Sequence, residues 1–121
     1  MLAVGSLVSP ALEASALLQK EGLCVGVINA RSVKPLDETL LARVGERYKF
    51  IITLEENVLA GGFGSAVVEY AADHRFPDGI IKRIGLPDAF IEHGDQAFLR
   101  DRYGLSPEKI AATVAVLMRR P

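Results

Sequence analysis

Apolar positions along this chain change their period several times, and each change is punctuated by Gly, Pro, Ser or Asp. Leu2–Val4 predicts a short strand, with Gly5-Ser6 opening a turn. Ser9 followed by Pro10 predicts a helix N-cap and first helical residue, because proline there gives up no intrahelical hydrogen bond. Ala11, Ala14, Leu17 and Leu18 recur at helical spacing, and Gly22 suits a left-handed C-terminal cap. Leu23–Ile28 predicts a second strand. Asp37 predicts another N-cap, with Leu40, Leu41 and Val44 as the buried stripe of a short helix. Phe50–Leu54 is almost continuously apolar and β-branched, the pattern of a parallel strand covered on both faces.

A glycine-rich turn over Glu55–Gly64 leads into a predicted helix at Ser65–His74, whose apolar face is Val67, Val68, Tyr70 and Ala71. Gly79–Leu86 predicts a further strand and Pro87–Gly94 a loop. Asp95 predicts the cap of a short helix that Gly104 ends. Ser106-Pro107 repeats the cap-then-proline arrangement before a last helix burying Ile110, Ala111, Val114 and Leu117. The order β-α-β-α-β-α-β-α-α predicts an α/β fold, a mostly parallel sheet with helices on both faces. No linker, repeat or low-complexity segment interrupts it, so residues 1–121 are expected to be a single domain. The apolar start, Met1–Ser6, lacks the basic region of a signal peptide and reads as a strand whose earlier residues are missing. The chain is therefore expected to be a fragment of a longer one.

Composition narrows the function classes. The net charge is −1, so no global field would draw nucleic acid or an anionic membrane. No apolar run approaches the ~20 residues that span a bilayer. Cys24 is the only cysteine, which excludes an internal disulfide framework or a cysteine-rich zinc site. Its apolar surroundings predict a small buried side chain, and the usage fits a reducing cytoplasm. The two histidines, His74 and His93, show no metal-ligand spacing.

Ligands of open α/β sheets gather beyond the carboxyl ends of the strands, which singles out the loops Asn29–Pro35, Glu55–Gly64 and Pro87–Gly94. In the middle loop Gly61, Gly62 and Gly64 precede a helix start, where free N–H groups favour an anion. A phosphate cradle there competes with a plainer reading, a tight turn with close backbone approach. The spacing fits neither a dinucleotide fingerprint nor a P-loop, and no lysine stands at the helix start. Glu55 and Glu56 are candidates for proton transfer, yet neighbours on an extended segment point to opposite sides and cannot both serve one site. A structural or interface role is the stronger expectation. Gly62 is expected to need positive φ, so that Gly62→Val should damage folding or assembly. His93 could approach a substrate or order its loop through Glu92 or Asp88, whereas His74 suits an exposed helix end. Arg31 and Lys34 are expected to make local salt bridges that pin their loop.

Four runs occur in an order that resembles one family: Gly5-Ser6-Leu7-Val8, Asn29–Asp37, Glu55–Val67 with Glu55-Glu56-Asn57, and Ile84–Gly94 with Phe90-Ile91-Glu92-His93-Gly94. They resemble the C-terminal domain of the 1-deoxy-D-xylulose-5-phosphate synthases, within the transketolase-like thiamine-diphosphate enzymes. The resemblance implies a three-layer α/β/α fold with a five-stranded sheet, one strand antiparallel. It implies a parent enzyme joining decarboxylated pyruvate to glyceraldehyde 3-phosphate, for isoprenoid, thiamine and pyridoxal synthesis. Thiamine diphosphate and Mg²⁺ would be held by upstream domains, so no cofactor or catalytic residue carries over to this chain. It would be a structural module, packed against the upstream domains of the same enzyme and a second protomer. Glu55, Glu56, Asn57, Gly61, Gly62, Gly64 and His93 would line the active-site edge or an interface. A free-standing anion- or nucleotide-binding domain, or the C-terminal domain of a 2-oxo-acid dehydrogenase β subunit, are the alternatives.

Overall fold

The computed structural model describes residues 1–74, 76 and 79–119. Four parallel strands form one sheet: β1 (Leu2–Ala3), β2 (Ile28–Asn29), β3 (Phe50–Val58) and β4 (Ile80–Leu86), in the order β2-β1-β3-β4. Parallel neighbours need crossover connections. These are α1 (Val8–Lys20), α2 (Glu38–Arg47) and α3 (Phe63–Asp73), and α4 (Gln96–Arg102) and α5 (Pro107–Met118) complete the chain. The α/β/α class is as the sequence predicts. The expected fifth, antiparallel strand is absent among the described residues, because the chain after β4 runs through Pro87–Gly94 into two helices rather than turning back along the sheet edge.

Strand alternation divides the core in two. Met1, Ala3, Ile52 and Leu54 meet α1 and α5 on one face, through Ala11, Ala14, Leu18, Ile110 and Val114. Leu2 and Ile51 face Leu41, Val44, Phe63 and Val67 on the other. The connection from β1 to its neighbour β2 crosses the first face, and those leading to β3 and β4 cross the second. A constant crossover hand requires that change of face when the winding reverses. The reversal lies between β1 and β3, and their carboxyl ends form the switch point of the sheet.

Several boundaries differ from expectation for identifiable reasons. β3 continues through Glu55, Glu56 and Asn57 to Val58, so these residues belong to a strand and not to the turn. β4 pairs with β3 as far as Leu54 opposite Ile84 and again at Val58 opposite Leu86, with an irregularity in the register across Glu55–Asn57. The second strand is confined to Ile28–Asn29, since β1 presents only Met1 as a partner for the residues before it. Within residues 23–27, Leu23, Val25 and Val27 pack inward and Cys24 and Gly26 are exposed; the alternation turns Cys24 outward, contrary to a buried cysteine.

The first helix starts at Val8, after a 3-10 turn over Gly5–Leu7, and Ser9 donates to Glu13 instead of capping. Pro10 still fits, being within the first turn, whose N–H groups have no intrahelical acceptor. Asp37 and Asp95 do cap, accepting from Leu40 N at 2.9 Å and from Ala97 N at 3.0 Å. Ser106 precedes α5 but its hydroxyl donates to Asp101 Oδ1 at 2.8 Å, tying the two last helices together. Gly22 and Gly104 take φ of 78° as helix-ending residues. Asp37→Ala and Asp95→Ala should each lower stability by about 1 kcal/mol, while Ser9→Ala stays close to neutral, as denaturant unfolding would measure.

Candidate functional site at the carboxyl edge of the sheet

Glu55 is 1% exposed at the carboxyl end of β3. Its odd-numbered position in the strand turns it toward α3, where it accepts hydrogen bonds from Phe63 N at 2.7 Å and Gly64 N at 2.8 Å. The first amides of α3 are thereby bound to an anion supplied by the protein. The charge and the helix dipole favour this placement, which also satisfies donors that would otherwise be buried without partners.

The glycines serve that contact. A Cβ on Gly62 would stand 2.2 Å from Glu55 Oε2 and 2.4 Å from the Val58 carbonyl oxygen. Gly62 has φ −85°, so the constraint is space and not the positive φ expected from the sequence. The left-handed residue is Gly61, at φ 72°. A Cβ on Gly64 would fall 2.6 Å from Thr53 Oγ1, a fully buried hydroxyl with no hydrogen-bond partner among the described residues. The turn is tied from outside by Arg83, which donates to the Leu59 carbonyl and to Ser65 Oγ, both at 2.9 Å.

Glu56 takes the opposite face, as strand alternation requires. Arg100 of α4 grips its carboxylate through two bonds, Nε to Oε1 at 3.0 Å and a terminal nitrogen to Oε2 at 2.7 Å. Gln96 Nε2 donates to it at 3.3 Å, and Ser6 Oγ donates from the turn after β1. Glu56 thus bridges the ends of β1, β3 and α4 across the switch point. The Arg100 hydrogen bonds hold its carboxyl below the usual value, against a smaller opposing effect of burial.

Of the other candidates, Asn57, Gly61 and His93 are exposed. Glu92 is engaged by Tyr103 Oη at 2.9 Å and Arg102 at 2.6 Å, so that loop is ordered through Glu92 rather than through His93. Phe90 in the same loop is wholly exposed. His74 ends α3, stacked on Tyr70 with ring centroids 3.9 Å apart. Arg31 and Lys34 form no ion pair among the described residues; Asn29 Oδ1 shapes their loop by accepting from Arg31 N at 3.0 Å. Sequence reasoning missed Ser6, Arg83, Gln96 and Arg100 as parts of this edge. Arg100 lies 44 positions from Glu56, beyond any local pattern. Arg83 carried a usable signal, one of two adjacent cations inside an otherwise apolar strand, placed opposite Thr53 in the β3–β4 register.

Neither a diphosphate nor a divalent metal fits this edge. The α3 amides, Arg83 and Arg100 are already bonded within the chain, and among the described residues no three His, Cys, Asp or Glu side chains gather as metal ligands. No helix among the described residues is long and apolar enough to cross a membrane.

The family model described as "Transketolase, C-terminal domain" matches residues 1–110. The chain belongs to that family. It is 48% identical over 120 residues to 1-deoxy-D-xylulose-5-phosphate synthase 2 of Geobacter sulfurreducens, covering 99% of this chain and 19% of that protein. It is 49% identical over 117 residues to 1-deoxy-D-xylulose-5-phosphate synthase of Aquifex aeolicus, covering 94% and 18%. Among solved structures, a split-gene transketolase described as an inactive β4 tetramer superposes with a TM-score of 0.82 at 32% identity, over 95% of this chain and 36% of that one. The chain spans about a fifth of the length of the curated relatives it matches.

Two variants probe this edge of the transketolase C-terminal domain. Glu55→Ala leaves the Phe63 and Gly64 amides buried without an acceptor and should cost about 2–4 kcal/mol in chemical unfolding. Gly62→Ala should also destabilise, by forcing the carboxylate off the helix, although its backbone angle is open to any residue; retention of full stability would contradict the spatial constraint. A third concerns pH. Because the Glu56 carboxyl is held below its ordinary 4.5, its stabilisation is complete above that value and is lost as pH falls through the lower, folded-state value. The stability difference between the parent chain and Glu56→Gln should therefore be about 1 kcal/mol near neutrality and shrink in acid, as melting curves across pH would show.

Proposed function

We propose that this chain is the C-terminal domain of a 1-deoxy-D-xylulose-5-phosphate synthase, the enzyme that condenses pyruvate with glyceraldehyde 3-phosphate. The single observation that carries this reading is identity of 44–49% along nearly the whole chain to proteins of that name. The Glu55–Glu56–Asn57 segment and the Pro87–Gly94 loop, the runs most specific to the synthases, lie at the carboxyl ends of the neighbouring strands β3 and β4. On this reading residues 1–121 are one domain of a longer cytoplasmic polypeptide, with partners in its upstream domains and a second protomer.

Thiamine diphosphate and Mg²⁺ would supply the carbon–carbon bond chemistry from those upstream domains. The part played by this chain is assembly. Glu55 and Glu56 are both consumed in holding the edge together, which leaves Asn57, Gly61, His93 and the exposed Phe90 to meet a neighbouring domain. A rigid edge presenting one aromatic anchor is suited to docking.

The test is turnover of pyruvate and glyceraldehyde 3-phosphate by the full-length gene product, followed as 1-deoxy-D-xylulose 5-phosphate formed. Product should appear with the intact protein, and Phe90→Ala should weaken its assembly while leaving this domain folded. Absence of product, or micromolar binding of a nucleotide by the isolated chain, would overturn the reading.

A further inference from the structure

The chain between β4 and α5 is fixed to the molecule differently from the other connections. The helices α1, α2, α3 and α5 each bury apolar residues, whereas α4 buries none. Phe90, Ile91, Phe98 and Leu99 belong to neither hydrophobic cluster, and both phenylalanines are exposed. The order of this segment comes from contacts within itself. Glu92 accepts from Tyr103 Oη at 2.9 Å and pairs with Arg102 at 2.6 Å, which ties the loop Pro87–Gly94 to the end of α4. Leu99 covers Gly94, its side chain 3.6 Å from where a Cβ would stand, and Asp95 caps the helix between them. Residues 87–103 are in this sense one unit.

That unit meets the sheet at a single carboxylate. Among the described residues, the side-chain hydrogen bonds from it to β3 all end on Glu56, from Arg100 at 3.0 and 2.7 Å and from Gln96 at 3.3 Å. The remaining tie, Ser106 Oγ to Asp101 Oδ1 at 2.8 Å, lies where the chain re-enters the core at the fully buried Leu105. Just before that anchor stands Gly104, at φ 78° and with no atom within 4 Å of where a Cβ would be. At the other end Pro87 leaves β4 and is exposed. An element held by apolar burial detaches only by exposing that surface to water. One held by a partly exposed ion pair gives up hydrogen bonds that water replaces.

We infer that residues 87–103 are a latched strap across the switch point. Glu56 holds it shut, and it opens as a unit about Pro87 and Gly104 while the sheet, α1, α2, α3 and α5 stay folded. The edge is rigid only while the latch is closed. Opening frees the Glu56 carboxylate and the Ser6 hydroxyl together, at the place where open α/β sheets receive ligands. It also displaces Phe90, so the latch couples the state of the crevice to the residue that the proposed function assigns to docking. Only that last link rests on the synthase reading; the mechanics of the strap do not.

Amide hydrogen exchange on this chain tests the strap. The probes are the Leu99 and Tyr103 amides, bonded to the Asp95 and Leu99 carbonyls, against the β3 amides paired with β4. Leu99 and Tyr103 should exchange about tenfold or more faster than β3. Glu56→Gln should speed both by one common factor, about fivefold. Asp37→Ala removes the cap of α2 and should speed β3 alone, because α2 is intact whether the strap is open or shut. Arg100→Gln cuts the latch from the strap side and should reproduce the Glu56→Gln result with the sheet residues unchanged, which keeps the test decisive if the first variant does not fold. Equal acceleration of α4 and β3 by Asp37→Ala would overturn the inference, since the strap would then open only with the whole domain. So would unchanged exchange in a latch variant that near-UV circular dichroism shows to be folded, or unequal factors at Leu99 and Tyr103, the sign of fraying from one end. No turnover enters these measurements, so their outcome is separate from that of the product assay.

Discussion

The carboxylate of Glu55 in the mouth of α3 is the contact on which this edge of the molecule depends. It closes the βα unit from β3 to α3 by joining the end of a buried strand to the start of the next helix. Three features of the neighbourhood follow from it. Gly62 lacks a side chain because the carboxylate and the Val58 carbonyl occupy that volume. Gly64 approaches the sheet so closely that Thr53 is sealed beneath it. Arg83 braces the turn from the adjacent strand. Helix N-termini attract anions in general, and here the anion is covalently part of the chain, so the place where a phosphate would sit is filled.

Adjacent carboxylates with separate duties are a direct consequence of strand geometry. Side chains of Glu55 and Glu56 leave opposite faces of β3, one toward the helix layer of α2 and α3, the other toward α4. Glu56 spans the switch point of the sheet, the crevice where open α/β folds usually receive ligands. A bidentate arginine, a glutamine and a serine all converge on it. The fold's two customary ligand positions, the helix mouth and the switch crevice, are consequently both closed by internal contacts. Those contacts make the edge rigid, joining β1, β3, α3 and α4 through two carboxylates.

The two ends of the sheet differ in this respect. At the carboxyl edge polar side chains from distant segments are matched to one another. At the amino edge an apolar cavity lies between residues 24–28 and Phe50–Ile52.

The sequence by itself determined the order of elements, the layering and the buried stripes, because these follow from short-range periodicity: Phe50–Leu54 as a two-faced strand, Asp37 and Asp95 as caps, Gly22 and Gly104 as helix ends. It also determined that Glu55 and Glu56 diverge, a matter of pleat alone. Only the tertiary structure decided where β3 stops, since the strand passes through an irregularity at Glu55–Asn57 and pairs with β4 again at Val58, and hydrophobicity carries no sign of that. The same holds for Cys24, turned outward by the alternation of an edge segment that composition had suggested was buried. The partner of Glu56 was equally hidden, for Arg100 reaches it by the folding back of α4 across the switch point. The glycine turn was recognised early as distinctive, but its reason, a carboxylate needing the space of two missing Cβ atoms, exists only once strand and helix are brought together.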